Sequence, residues 1–152
     1  MAVRIGRYEI KKEIGRGAAG IVYRAYDPKL GRIVAVKILR TDILDSEERD
    51  DFARRFRREA QTAGKLSHPN IVTIHDLGEV NNILFIIMEL ITGITLKELI
   101  DESESLNVKH SLDILSQISS GLDYAHKNKI IHTAGGASCP SAVPTLGHSF
   151  PY

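Results

Sequence analysis

Hydrophobic and polar residues alternate along the first forty positions, and then the spacing changes. Tyr8 to Gly15, Ile21 to Asp27 and Arg32 to Leu39 have the two-residue period of strands, and the last of these, RIVAVKIL, is rich in β-branched side chains. The glycine-rich GRGAAG and the turn Pro28 to Gly31 separate them, which predicts an antiparallel meander. Beyond Thr41 the period lengthens. Phe52, Phe56, Ala63 and Leu66 recur at helical spacing, Ser46 is the predicted N-cap, acidic residues crowd the first turn, and Pro69 ends the segment. Ile71 to Gly78 and Ile83 to Leu90 read as two more strands around Glu79-Val80-Asn81-Asn82. A short helix is predicted near Thr95, and a longer one from about Asn107 to Lys127. The longer helix has an apolar stripe of Val108, Leu112, Leu115, Ile118, Leu122 and Ala125. The order predicts an α+β fold: a five-stranded antiparallel sheet with one helix laid on it, then two helices.

The pattern stops at His132. From Thr133 to Tyr152 there is no Asp, Glu, Lys or Arg, and Gly, Ala, Ser and Pro dominate, so residues 133–152 read as a disordered tail. The 152-residue chain carries a net charge of +1, which gives no field to draw nucleic acid or an anionic membrane. A single cysteine, Cys139, excludes a disulfide framework and fits a reducing, cytoplasmic setting. The longest apolar run, Ile83 to Met88, is too short to span a bilayer, so no membrane segment is expected in this chain.

Three features carry candidate chemistry. GRGAAG, Gly15 to Gly20, fits G-x-G-x-x-G, but a strand follows it, so it opens no helix as a dinucleotide motif would. Such a hairpin is either a flexible turn or a place where bare backbone N–H groups approach a polyphosphate. Lys37 interrupts VAVKIL, where both faces of the strand are apolar. It either guards a sheet edge or meets an anion. Glu59 sits on the apolar stripe of its helix, three residues after Phe56. It either pairs with Arg55 on the surface or turns inward to Lys37. A desolvated Lys–Glu pair is poor as a stability device but holds an ammonium steady for a phosphate.

Together these residues resemble the small lobe of protein kinases, with the flavour of prokaryotic-type serine/threonine kinases. The resemblance is carried by Gly15-x-Gly17-x-x-Gly20-x-Val22, Val34-Ala35-Val36-Lys37, the helix bearing Glu59, HPNIV at His68 to Val72, FIIMEL at Phe85 to Leu90 and GLDYAHKNKIIH at Gly121 to His132. It spans nearly all of residues 8–132. It implies a small lobe over 1–91 and part of a large lobe over 92–132. It implies that the backbone of Gly15, Gly17 and Gly20 covers ATP phosphates, that Lys37 binds the α- and β-phosphates and that Glu59 orients it. Val22 and Ala35 would sandwich the adenine, Met88 would stand at the back of the pocket, and Glu89 and Ile91 would offer main-chain hydrogen bonds.

The same resemblance identifies what is missing. His132 matches the first residue of His-Arg-Asp, but Thr133 and Ala134 follow, and neither Asp-Phe-Gly nor Ala-Pro-Glu occurs before Tyr152. The catalytic base and both magnesium ligands of the family are absent, so no metal site is expected and the chain alone should not turn over. The abrupt change in composition suggests a frameshift, a misjoined segment or a natural truncation. The stripe on 107–127, lacking a helical lobe to pack in, should be exposed and could recruit a protein partner. A pseudokinase-like regulatory module and a non-functional truncated product are the alternative readings.

Overall fold

The computed structural model describes residues 3–17, 20–41, 45–102 and 107–130. Its elements are β1 (Arg4–Ile5), β2 (Tyr8–Gly17), β3 (Gly20–Asp27), β4 (Arg32–Leu39), α1 (Ser46–Ala63), β5 (Ile74–Val80), β6 (Ile83–Met88), α2 (Leu96–Glu102) and α3 (Val108–Lys127). The α+β class holds, but the sheet has six strands rather than five, in the order β1-β2-β3-β4-β6-β5. The sixth is two-residue β1, which exists because Arg4 and Ile5 pair back on Glu9 and Tyr8. Every pairing is antiparallel. The tail predicted for 133–152 and the motif residue His132 lie outside the described residues.

The central strands are apolar on both faces because both are covered. One face carries Tyr8, Ala25, Val34, Val36, Phe85 and Ile87. On the other, Leu84 and Ile86 of β6 meet Ala53 and Phe56 of α1, with Leu39 packed against them. Two glycines make this packing possible. A Cβ on Gly78 would lie 2.2 Å from the Phe85 ring, and one on Gly20, where φ is +144°, would lie 1.9 Å from the Ile38 carbonyl oxygen.

The sheet also curls. Tyr8 on β2 donates a hydrogen bond to Asp76 on β5 (3.1 Å), although β3, β4 and β6 lie between them in the sheet. Arg7 lies over the Tyr8 ring and forms ion pairs with Asp76 and with fully buried Asp27, at 3.3 Å each. Burial opposes the charge of Asp27. The Lys29 N–H, the Arg7 guanidinium and the Leu30 N–H outweigh it and hold the carboxyl below its usual value. Burial pushes the Tyr8 hydroxyl up to about 12, and the adjacent Asp76 carboxylate adds to the effect.

Helix α1 starts one residue earlier than the sequence implied. Asp45, not Ser46, is the N-cap. Its side chain accepts from the Glu48 N–H (2.8 Å), and the Glu48 carboxylate accepts from the Asp45 N–H (3.2 Å), closing a capping box. The helix ends at Ala63, where Gly64 caps it and its N–H bonds to the Ala60 carbonyl (2.8 Å). Leu66 therefore belongs to no helix. With Ile71 it lies in the connector between α1 and β5, and both are buried against Ala125 of α3. That contact explains why β5 begins at Ile74 rather than Ile71.

Helix α3 leaves the first half of its stripe exposed, as expected, and turns the second half inward, with Ile118 and Leu122 half-buried. Ile114, Gly121 and Ala125 are buried, whereas Val108, Leu112 and Leu115 are 74%, 60% and 57% exposed. The inward face also includes a glycine. A Cβ on Gly121 would lie 3.2 Å from the Asn70 carbonyl, so the absence of a side chain is what lets α3 sit close to the connector.

Candidate functional site

The residues singled out in the sequence converge on one face of the sheet. Gly15 on β2 is paired with Val22 on β3, Val22 with Lys37 on β4, and Lys37 with Ile86 on β6. Directly paired residues point their side chains to the same face, and so do residues two apart on one strand. Ala35 and Leu39 therefore flank Lys37 on its own face. Ala35 is paired with Met88, which adds the end of β6 to the same patch. Gly17 and Gly20 pair with each other at the tip of the hairpin.

This is the face that α1 covers. Ile86, the cross-strand partner of Lys37, packs with Phe56, and Leu39 packs in the same cluster. Lys37 is half-buried among these apolar neighbours, not at a sheet edge, because β3 and β6 pair with β4 on its two sides. The edge-guard reading of this lysine is thereby set aside. Glu59 follows Phe56 by three residues on α1, but its side chain lies outside the described residues.

The glycine hairpin has open space on one side. A Cβ at Gly17 would meet nothing within 4 Å, and Gly17 is exposed. Gly20 by contrast is pressed onto β4 at the Ile38 carbonyl. The first glycine leaves backbone accessible and the second holds the hairpin down over the Lys37 strand. Among the described residues no group of three His, Cys, Asp or Glu side chains sits together.

At the exit from β6 the chain is held by an interaction that spacing did not reveal. The Glu89 N–H donates to the Thr73 carbonyl (3.0 Å), and the Glu89 carboxylate accepts from the Thr73 N–H (2.7 Å). Thr73 carries no signature in the sequence, since it acts through its backbone. Ile91, two residues further on, is half-buried.

Comparison with known proteins agrees with this arrangement. Residues 8–133 match the profile of the protein kinase domain. The serine/threonine-protein kinase PrkC of Bacillus subtilis is 50% identical over 127 residues, covering 84% of this chain and 19% of PrkC. The probable serine/threonine-protein kinase PknB of Lactococcus lactis is 45% identical over 128 residues, covering 83% of this chain and 20% of that protein. Among solved structures, the PknI kinase domain of Mycobacterium tuberculosis superposes with a TM-score of 0.75 at 31% identity, covering 90% of this chain and 54% of that domain. The chain thus spans about a fifth of the length of these curated relatives. By sequence over residues 8–133, and by a fold with a glycine hairpin, a strand lysine and a covering helix, the chain belongs to the protein kinase family.

Proposed function

We propose that this chain is the nucleotide-binding portion of a serine/threonine protein kinase, that it binds ATP beneath the glycine hairpin, and that it transfers no phosphate by itself. The observation that carries the reading is the row Gly15–Val22–Lys37–Ile86 on the face covered by α1. It puts half-buried Lys37 in line with Gly15 of a hairpin in which Gly17 is exposed. In this reading Gly15, Gly17 and Gly20 cover the phosphates, Lys37 contacts the α- and β-oxygens, and Glu59 orients Lys37. Val22 and Ala35 enclose the adenine ring with Met88 behind it. The Glu89 N–H is bonded to Thr73, so Glu89 would meet the purine with its carbonyl, and Ile91 with its main chain. Residues 1–91 form the small lobe and 92–132 the start of the large one.

The lack of turnover rests on the chain's own residues. Thr133 and Ala134 stand where the family's Arg and Asp would, so no carboxylate is at hand to accept the substrate hydroxyl proton. Phosphoryl transfer depends on such positioning and on metal neutralisation of charge, and losing one such group typically lowers the rate by about 10²–10³ or more.

A nucleotide-dependent thermal shift tests the binding. ATP at about 100 times its Kd should stabilise the chain by about 2.7 kcal/mol. Lys37→Ala should abolish the shift, and an unchanged shift would count against this pocket. A sensitive phosphotransfer assay should find no activity that depends on Lys37.

A further inference from the structure

The connector between α1 and β5 meets α3 through a histidine with both ring nitrogens engaged. His68 Nδ1 accepts a hydrogen bond from the Asn70 N–H (3.1 Å), and Nε2 lies 3.2 Å from Ser120 Oγ on α3. The ring centroid lies 5.1 Å from that of Tyr124, also on α3, with the two planes tilted by 31°. The Asn70 bond holds that residue in place, and its side-chain amide donates to Gln117 Oε1 on α3 (3.1 Å). Asn70 is 8% exposed, so its polar groups have little access to water.

These contacts specify a protonation state. A backbone N–H can only donate, so Nδ1 must present a lone pair. The proton of the neutral ring then sits on Nε2, where Ser120 Oγ can accept it. A second proton, on Nδ1, would turn the acceptor into a donor pointing at the Asn70 N–H. The His68–Asn70 bond would break and leave a shielded amide without its partner, while the Ser120 bond would survive.

We infer that His68 is an acid-sensitive joint: its neutral, Nε2-protonated ring locks the connector to α3, and protonation of Nδ1 unlocks it. Among the described residues, the Tyr124 phenol on α3 is the titratable group in contact with the ring, and across an adjoining cleft of ≈ 600 Å³ stands Glu89, whose carboxylate accepts the Thr73 N–H. Ser67, Pro69 and Asn70 on the connector, and Gln117 and Ser120 on α3, are neutral. The connector begins at Gly64, where α1 ends, so unlocking it frees the end of α1 that carries Glu59. That consequence rests on the nucleotide reading above, but the joint itself does not.

The full chain, labelled with ¹⁵N, provides the test without any nucleotide. At about pH 7.5 the imidazole nitrogen resonances should show His68 protonated at Nε2 alone. Between about pH 7.5 and 5.0 the protection of the Asn70 amide, corrected for intrinsic exchange, should fall about five- to tenfold. Val36 in β4 should not change with it. His68→Gln, which can accept and donate but takes no proton, should give a flat Asn70 profile. Ser120→Ala, which leaves the Nδ1 bond untouched, should keep the pH response. A ring protonated at Nδ1 at neutral pH, Asn70 protection that is constant with pH, or an equal fall in His68→Gln would each overturn the inference. The first of these is read on the unsubstituted chain, so it decides the matter even if a variant fails to fold.

Discussion

The sheet and α3 are both rich in apolar residues, yet they use them differently. In the sheet, Val34, Val36 and Ile87 are fully buried, with Tyr8 and Phe85 on one face and Phe56 of α1 on the other. In α3 Ile114, Gly121 and Ala125 turn inward, while Val108, Leu112 and Leu115 are mostly exposed. The sheet end completes its own core. The helical end presents a second apolar face to solvent. The difference shows that apolar periodicity identifies a surface suited to burial but does not say what buries it.

The largest effect should come from the complete end. Phe56→Ala removes the ring that seats α1 on β6 and should cost about 3–5 kcal/mol in urea denaturation. A loss below about 1 kcal/mol would mean that α1 contributes little to the sheet's core, and the contrast between the two ends would fail. Tyr8→Phe should cost less, about 1–2 kcal/mol, because it deletes one hydrogen bond to a carboxylate and keeps the ring. This substitution also has a pH signature. The Tyr8 hydroxyl is raised to about 12, so its contribution is fully present below the ordinary tyrosine value and fades as pH rises through about 12. The stability of the parent chain should therefore fall more steeply than that of Tyr8→Phe over that alkaline range. The smallest effect on stability should come from the bare face. Leu112→Lys combined with Leu115→Glu should change unfolding free energy by no more than about 0.5 kcal/mol while raising the concentration at which light scattering first detects association. A large destabilisation would show that this face is already covered.

Much of this was legible in the sequence, for reasons that particular residues make plain. The strands of the meander follow from the two-residue period and β-branched content of RIVAVKIL and its neighbours. Lys37 stood out because no face of its strand could welcome a charge, and the fold does place it inside the sheet beneath α1. What escaped depended on distance along the chain or on backbone. The Tyr8–Asp76 bond joins residues 68 apart and arises only when the sheet curls. β1 is too short to have a period and is created by its partner. Leu66 kept helical spacing with Phe56 and Ala63, but Gly64 stops the helix and turns Leu66 toward α3. The exposure of Val108, Leu112 and Leu115 on α3 was expected, but the close approach at Gly121 was not, since no hydrophobicity pattern registers it.

The reciprocal hydrogen bonds between Glu89 and Thr73 have a consequence for recognition. A strand end left free would have to be ordered by whatever bound it, and the entropy of that ordering would weaken affinity. Here Thr73, just before β5, and the carboxylate of Glu89 itself already hold the main chain. A planar ring arriving at this edge would meet a template set in advance, so discrimination among ring substituents could rest on geometry alone, with no adjustment of the protein to blur it.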